Sequence, residues 1–167
     1  RMELTNINTL MDASWFNYNG VSVFSSMAYE KSANLQHNLG LNSNYINSYI
    51  YAPQTPVYNA MMSLKYLVNN DDSIMNDRLF EKVAENDRFV AYRNNYCLPI
   101  AYSVSEEVEK WITTGSNPFE IQNDYWTRAT DAGDVFKRIS ATTYSTENIR
   151  SDDELLTENF SYNKEIT

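Results

Sequence analysis

The stretch that decides the fold is RLFEKVAE (78–85), ND (86–87), RFVAYRNN (88–95) and YCLPIAYSV (96–104). Its first two runs flank Asn86-Asp87, and Asn and Asp tolerate the positive φ that a tight two-residue hairpin turn demands. The pattern predicts a hairpin. In the third run Pro99, having no N–H to give to a ladder, fits the first position of a strand, and Ile100, Tyr102 and Val104 then alternate onto one face. Helices packed on a sheet built around this hairpin make a mixed α/β domain, with α+β as the second choice.

Working back toward the N-terminus, Leu64 to Val68 predicts a strand ended by Asn69 to Asp72. Before it, Thr55-Pro56 predicts a helix start, an N-cap followed by proline where the missing N–H costs nothing. Asn42 to Tyr51 has no period and predicts a surface loop. Met27 to Leu39 has apolar residues at roughly helical spacing, with Ser25-Ser26 able to cap it and Gly40 placed for a left-handed C′ residue. Val21 to Phe24 follows the Asn19-Gly20 turn signal as a short strand, and Arg1 to Thr5 fits another.

Toward the C-terminus, Ser105 can cap a helix with Glu106 and Glu107 in its first turn and Val108, Trp111 and Ile112 on its apolar face. Asn117-Pro118-Phe119-Glu120 predicts a second start of capping-box type, with Phe119, Gln122, Trp126 and Ala129 along one side and Ala132-Gly133 at the end. Val135 to Ile139 and Thr142 to Tyr144 suggest strands. Residues 1–139 then form the domain, and 140–167 a tail or the start of a following β-rich segment.

The chain has 167 residues, 43% of them hydrophobic and 21% charged, which suits one globular domain with a sizeable core. A net charge of −9 argues against nucleic acid, since thirteen Lys and Arg spread along an acidic chain supply no basic face. The start at Arg1, with no basic segment leading into an apolar one, predicts a fragment of something longer and no signal peptide. No run approaches the eighteen or so apolar residues of a membrane span. The single cysteine, Cys97, excludes an internal disulfide and reads as a small hydrophobe beside the third strand.

No reaction is written in the spacing. His37 is the one histidine, read as lying on a helix surface, and it has no companion at metal spacing or in a nucleophile motif. Glu106 and Glu107 serve a helix start, Asp71-Asp72 a turn and Asp152 to Glu154 a solvated run; Asp131 and Asp134 lack the periodicity of a calcium loop. Catalysis by a carboxyl pair, as in a hydrolase, would need two acids facing each other across a cleft. Thirteen tyrosines and many asparagines instead suit sugar recognition, in which rings stack on a pyranose and amides bond its hydroxyls. Tyr45, Tyr49 and Tyr51 are candidates for such a surface, while Trp111 and Trp126 fit a core.

An ordered series of short pieces resembles the soluble domain of the YfhO family of bacterial polytopic membrane proteins. The pieces are Tyr18-Asn19-Gly20-Val21-Ser22-Val23-Phe24-Ser25-Ser26, Leu39-Gly40, Ser63-Leu64-Lys65-Tyr66-Leu67, Tyr92-Arg93-Asn94, Leu98-Pro99-Ile100-Ala101-Tyr102, and Asn117-Pro118-Phe119-Glu120 with Gln122-Asn123. The resemblance implies a parent of the GT-C glycosyltransferase type that uses a polyprenyl-phosphate-linked sugar donor and decorates cell-envelope polymers such as lipoteichoic acid in Gram-positive bacteria. Its catalytic acids are expected between transmembrane helices, so no catalytic residue, cofactor or metal is assigned here. The domain is expected on the outer face of the cytoplasmic membrane. Its expected partners are the transmembrane part of its own chain and a cell-envelope glycopolymer. The family-like motifs make Tyr18, Asn19, Ser25, Ser26, Lys65 and Tyr66 the candidate binding residues. The alternative is a self-contained extracellular module that binds carbohydrate or protein without catalysis.

Overall fold

The computed structural model describes residues 1–70 and 76–139. Contacts divide the chain into a compact unit, Arg1–Phe136, and a second unit beginning at Lys137. Every helix and strand among the described residues lies in the first. Its elements are β1 (Met2–Leu4), α1 (Asp12–Trp15), β2 (Val23–Phe24), α2 (Glu30–Asn38), β3 (Asn42–Ser43), β4 (Ser48–Ile50), α3 (Pro56–Met61), β5 (Tyr66–Asn69), β6 (Phe80–Glu85), β7 (Val90–Asn94), a 3₁₀ turn (Glu106–Lys110) and α4 (Pro118–Thr130). They build a four-stranded sheet in the order β1-β5-β7-β6 and a three-stranded sheet in the order β2-β4-β3. The fold is mixed α/β.

The hairpin is present, but its connection is longer than a two-residue turn. Glu85 pairs with Val90, leaving residues 86–89 as the loop. The Asn86 side chain accepts from the N–H of Arg88 and of Phe89, and the Asn86 N–H donates to Phe89 O. Neither Asn86 nor Asp87 has a positive φ. An Asx-type turn satisfies the backbone without left-handed residues, and the shift between Lys82 and Ala84 absorbs a bulge.

The third strand is not formed. The other edge of β7 is occupied by β5, Tyr66 facing Arg93 and Asn69 facing Val90, and β5 in turn pairs in parallel with β1. Pro99 leads an irregular segment held by Ser63 Oγ donating to Pro99 O, and Ile100 is 80% exposed. Cys97 is half-buried beside it, its thiol donating to Leu98 O.

Asn42 to Tyr51 is also a correction: it forms the β3–β4 hairpin, not a loop. Tyr45 takes φ 66° at its tip, and the Asn44 side chain accepts from the N–H groups of Ile46, Asn47 and Ser48. Side-chain acceptors make this turn where hydrophobic alternation is absent. Ser25 caps a turn through Met27 N–H, and α2 starts later, at Glu30. Gly40 has the left-handed φ, +106°, expected past a helix end.

Thr55 caps α3 as predicted, accepting from Tyr58 N–H, and Asn117 caps α4, accepting from Phe119 N–H. Glu120 reaches back only to the Asn117 side chain. Helix α4 buries Ile121, Gln122 and Tyr125 and leaves Phe119 exposed, so its inner face shares Gln122 with the expected side but is turned toward Ile121 and Tyr125; Asp131, at φ 57°, makes the stop. Ser105 caps only a 3₁₀ turn, which leaves Ile112 exposed. Residues 135–139 form no strand, and Thr142 to Tyr144 lie outside the described residues.

The core gathers Val21, Leu39, Leu41, Tyr51, Tyr58, Leu64, Leu67, Phe80 and Ile121, with Trp111 packed against its edge. Its polar groups are paired. Tyr58 donates to Gln36 Oε1 at 2.6 Å, Tyr51 to Asn59 Oδ1 at 3.1 Å, and Gln122 Nε2 to Leu39 O at 2.9 Å. Burial pushes the Tyr51 phenol up to about 12 and that of Tyr58 well above its usual range.

Candidate functional site

Glu3 organises the N-terminal third of the unit. On β1 and fully buried, it accepts from the N–H of Val21, the N–H of Ser22 at 2.9 Å, the N–H of Leu4 at 3.2 Å and the Tyr18 hydroxyl at 3.2 Å. Gly20 leaves room for it: a β-carbon there would stand 3.0 Å from Glu3 Oε2 and 2.9 Å from the Tyr18 ring. Burial, and then the adjacent Glu3 carboxyl, hold the Tyr18 phenol protonated well above its usual range. Asp12, also buried, accepts from the N–H groups of Asn8 and Thr9 and from the Thr9 hydroxyl. Both buried acids are thus engaged in bonding backbone, and neither faces the other across a cleft.

The carboxyl chemistry elsewhere is equally local. Asp124 pairs with Arg128 and accepts from Ile112 N–H, Glu107 pairs with Lys110, and Glu81 pairs with Arg93. A shallow depression of about 470 Å³ at the β6–β7 loop is lined by Glu85, Asp87 and Arg88, and Glu85 is already paired with Lys82. Among the described residues no group of three His, Cys, Asp or Glu side chains is placed to hold a metal. Asp71, Asp72 and Asp152 to Glu154 lie outside those residues.

What the structure does present is an uncharged aromatic surface at one end of the small sheet. Phe24 on β2 faces Ser48 on β4, and the N–H of Ser25 donates to Asn47 O, so the turn after β2 lies beside the β3–β4 tip. Tyr45 stacks on His37, ring centroids 4.2 Å apart, and its hydroxyl lies 2.8 Å from His37 Nε2. His37 is therefore half-buried, not a free surface histidine, and its Nδ1 is buried without a hydrogen-bond partner among the described residues. On the other side of His37 a cleft of about 310 Å³ runs between the end of α2 and the start of α4, lined by Asn38, Gly40, Leu41, Gly115, Ser116 and Pro118. Exposed rings, amides and hydroxyls can hold a ligand by stacking and hydrogen bonding.

The six candidate residues fall into two groups. Asn19 O accepts from Met2 N–H, and Arg1 O accepts from the N–H groups of Lys65 and Tyr66, so these three residues flank the start of β1, with Tyr18 anchored on Glu3 alongside. Lys65 Nζ lies 5.5 Å from the centre of the Tyr66 ring. Ser25 and Ser26 stand apart from them, at the small-sheet tip. Of the three loop tyrosines only Tyr45 is exposed; Tyr51 is core and Tyr49 packs against it. Trp111 joins the core edge as expected, its ring tilted against that of Tyr125 with centroids 5.0 Å apart, and Trp126 is half-buried.

Glu3, Asp12, Gln36 and Asn59 are buried polar residues that no pattern in the sequence singles out. The only signal for Glu3 is its place in a short apolar strand, Met2-Glu3-Leu4, which is weak without knowing which backbone donors will face it. The others sit in segments whose periodicity says little about which polar side chain turns inward.

No helix among the described residues is long and apolar enough to cross a membrane. No curated protein matches the chain, and neither does any solved structure. The family described as bacterial membrane protein YfhO matches residues 1–167, well beyond Asn123, where the last of the motif pieces ends. The chain therefore belongs to the YfhO family of bacterial membrane proteins.

Proposed function

We propose that this chain is the extracytoplasmic domain of a YfhO-family glycosyltransferase. Its parent transfers sugars from a polyprenyl-phosphate donor to cell-envelope polymers such as lipoteichoic acid, and the domain positions the acceptor or braces the membrane part of its own chain. The observation that carries the reading is membership in a membrane-protein family by a segment whose described helices are too short or too polar to span a bilayer. The engagement of both buried acids by backbone donors supports an accessory role over a catalytic one. The aromatic and amide surface around Tyr45 and the adjoining cleft suit the sugar rings and hydroxyls of a glycan.

Two measurements test it in the intact membrane protein. With Cys97→Ser as background, Ser26→Cys is labelled by a membrane-impermeant maleimide in whole cells; labelling only after permeabilisation would put the domain on the other face. Alanine at both Lys65 and Tyr66 lowers transfer of sugar to the polymer, and unchanged transfer removes that pair from the acceptor path. A second reading, a free-standing carbohydrate-binding module, draws on the same exposed Tyr45 and predicts glycan binding by the isolated chain.

A further inference from the structure

The charge of the chain is unevenly placed. Between Ala13 and Tyr29, and again between Ser32 and Leu64, there is no Asp, Glu, Lys or Arg, so the first 64 residues carry only Arg1, Glu3, Asp12, Glu30 and Lys31. These two neutral stretches meet at the small-sheet tip, and there they expose large apolar side chains. Met27 is 89% exposed, Tyr29 80%, Ile46 64%, Tyr45 50% and Phe24 45%. The Phe24–Ser48 pairing and the Ser25–Asn47 hydrogen bond put the two segments side by side. Exposed apolar clusters of this kind on a soluble domain mark an interaction surface.

We propose that this tip seats in the interfacial layer of the lipid bilayer beside which the domain is held. Two observations select that occupant. The family is one of membrane proteins, so a bilayer is at hand. A bacterial membrane surface rich in anionic lipid repels a chain of net charge −9, whereas at this tip the nearest charged residues in sequence, the exposed Glu30 and Lys31, offset one another, so it can approach the headgroups without bringing net charge to them. The composition suits the layer: tyrosine and phenylalanine with aliphatic side chains, backed by Asn44, Asn47, Ser25 and Ser26, give apolar bodies with polar neighbours at headgroup depth. The inference takes only family membership from the reading above and does not depend on sugar transfer or on which face of the membrane the domain occupies.

The test is flotation of the 167-residue chain with phosphatidylcholine vesicles, with and without 30% phosphatidylglycerol, at low and high salt. The chain co-floats with phosphatidylcholine, less well at low salt when phosphatidylglycerol is added, and recovers at high salt as repulsion is screened. Met27→Asp with Ile46→Asp lowers partitioning at least about tenfold, the effect of keeping a single apolar side chain out of the interface. Val83→Asp, on the charged β6 strand, leaves it unchanged. Ile46→Trp reports the contact through a blue shift of emission with vesicles larger than that of the parent chain, whose three tryptophans set the baseline. Absence of co-flotation at every salt concentration, or equal partitioning by the double aspartate variant, overturns the proposal. So does a concentration-dependent dimer abolished by the double variant, which would give the surface to a second copy of the chain.

Discussion

The N-terminal region, residues 1–64, and the β6–β7 ribbon, residues 80–94, are held by opposite means. The ribbon is a local structure: its partners are less than fifteen residues apart, its side chains are mostly exposed, and its ion pairs, Lys82–Glu85 and Glu81–Arg93, lie in solvent. The N-terminal region has few charged groups, and both of its carboxyls before residue 30 are buried. Glu3 reaches across to residues 18–22 and Asp12 to residues 8 and 9, so two carboxyl groups tie down the irregular backbone between β1 and β2. A region in which one buried carboxyl group satisfies several backbone donors is concentrated in its vulnerability, whereas a ribbon of many weak contacts is not.

The sharpest way to break the contrast is Glu3→Ala. It strands the Val21 and Ser22 N–H groups in the interior, and urea unfolding should show a loss of about 3 to 5 kcal/mol. Glu3→Gln, which keeps one acceptor, should lose less. If the alanine variant is as stable as the parent, Glu3 does not organise the region.

Alkaline pH attacks the same half next. A tyrosine titrates near 10 in the unfolded chain and near 12 at Tyr51 in the fold, so the folded state binds more protons between those values. Its contribution is fully present below pH 10 and is lost as pH rises toward 12, about 3 kcal/mol in all. Stability measured from pH 8 to 11 should fall above pH 10, and Tyr51→Phe should flatten that fall.

Gly20→Ala tests the space made for the carboxyl group. Its new carbon meets the Tyr18 ring, Glu3 and Ala13 at 2.9, 3.0 and 3.1 Å, and the expected loss in thermal or urea unfolding is about 1 to 3 kcal/mol. Glu81→Ala, which removes the ribbon's exposed pair with Arg93, should cost no more than about 0.5 kcal/mol. A larger loss at Glu81 than at Gly20 would reverse the comparison.

The difference between the regions is also the difference in what could be read. Thr55-Pro56 and Asn117-Pro118 announced α3 and α4 because a cap is a contract between residues two or three apart, and both side chains accept the expected N–H. The hairpin was legible for the same reason. Its turn length was not, since the Asn86 side chain competes with the backbone for the N–H groups of Arg88 and Phe89. The β3–β4 hairpin escaped because its turn is closed by Asn44 and its strands are two and three residues long, too short to display a period. Nothing in the spacing of the candidate residues separates Ser25 and Ser26, at the small-sheet tip, from Lys65 and Tyr66, beside the start of β1.

By itself the sequence determined the helix starts, the hairpin, the mixed α/β class and, through an ordered run of short motifs, the family; each rests on contacts between near neighbours or on order along the chain. Tertiary structure decided that Pro99 to Val104 is no strand, because β5 had taken the free edge of β7. It decided that Glu3 goes inside and that the neutral stretches meet at one exposed tip. Those outcomes depend on which distant donors, edges and surfaces come together, and one residue's neighbours in sequence carry no record of that.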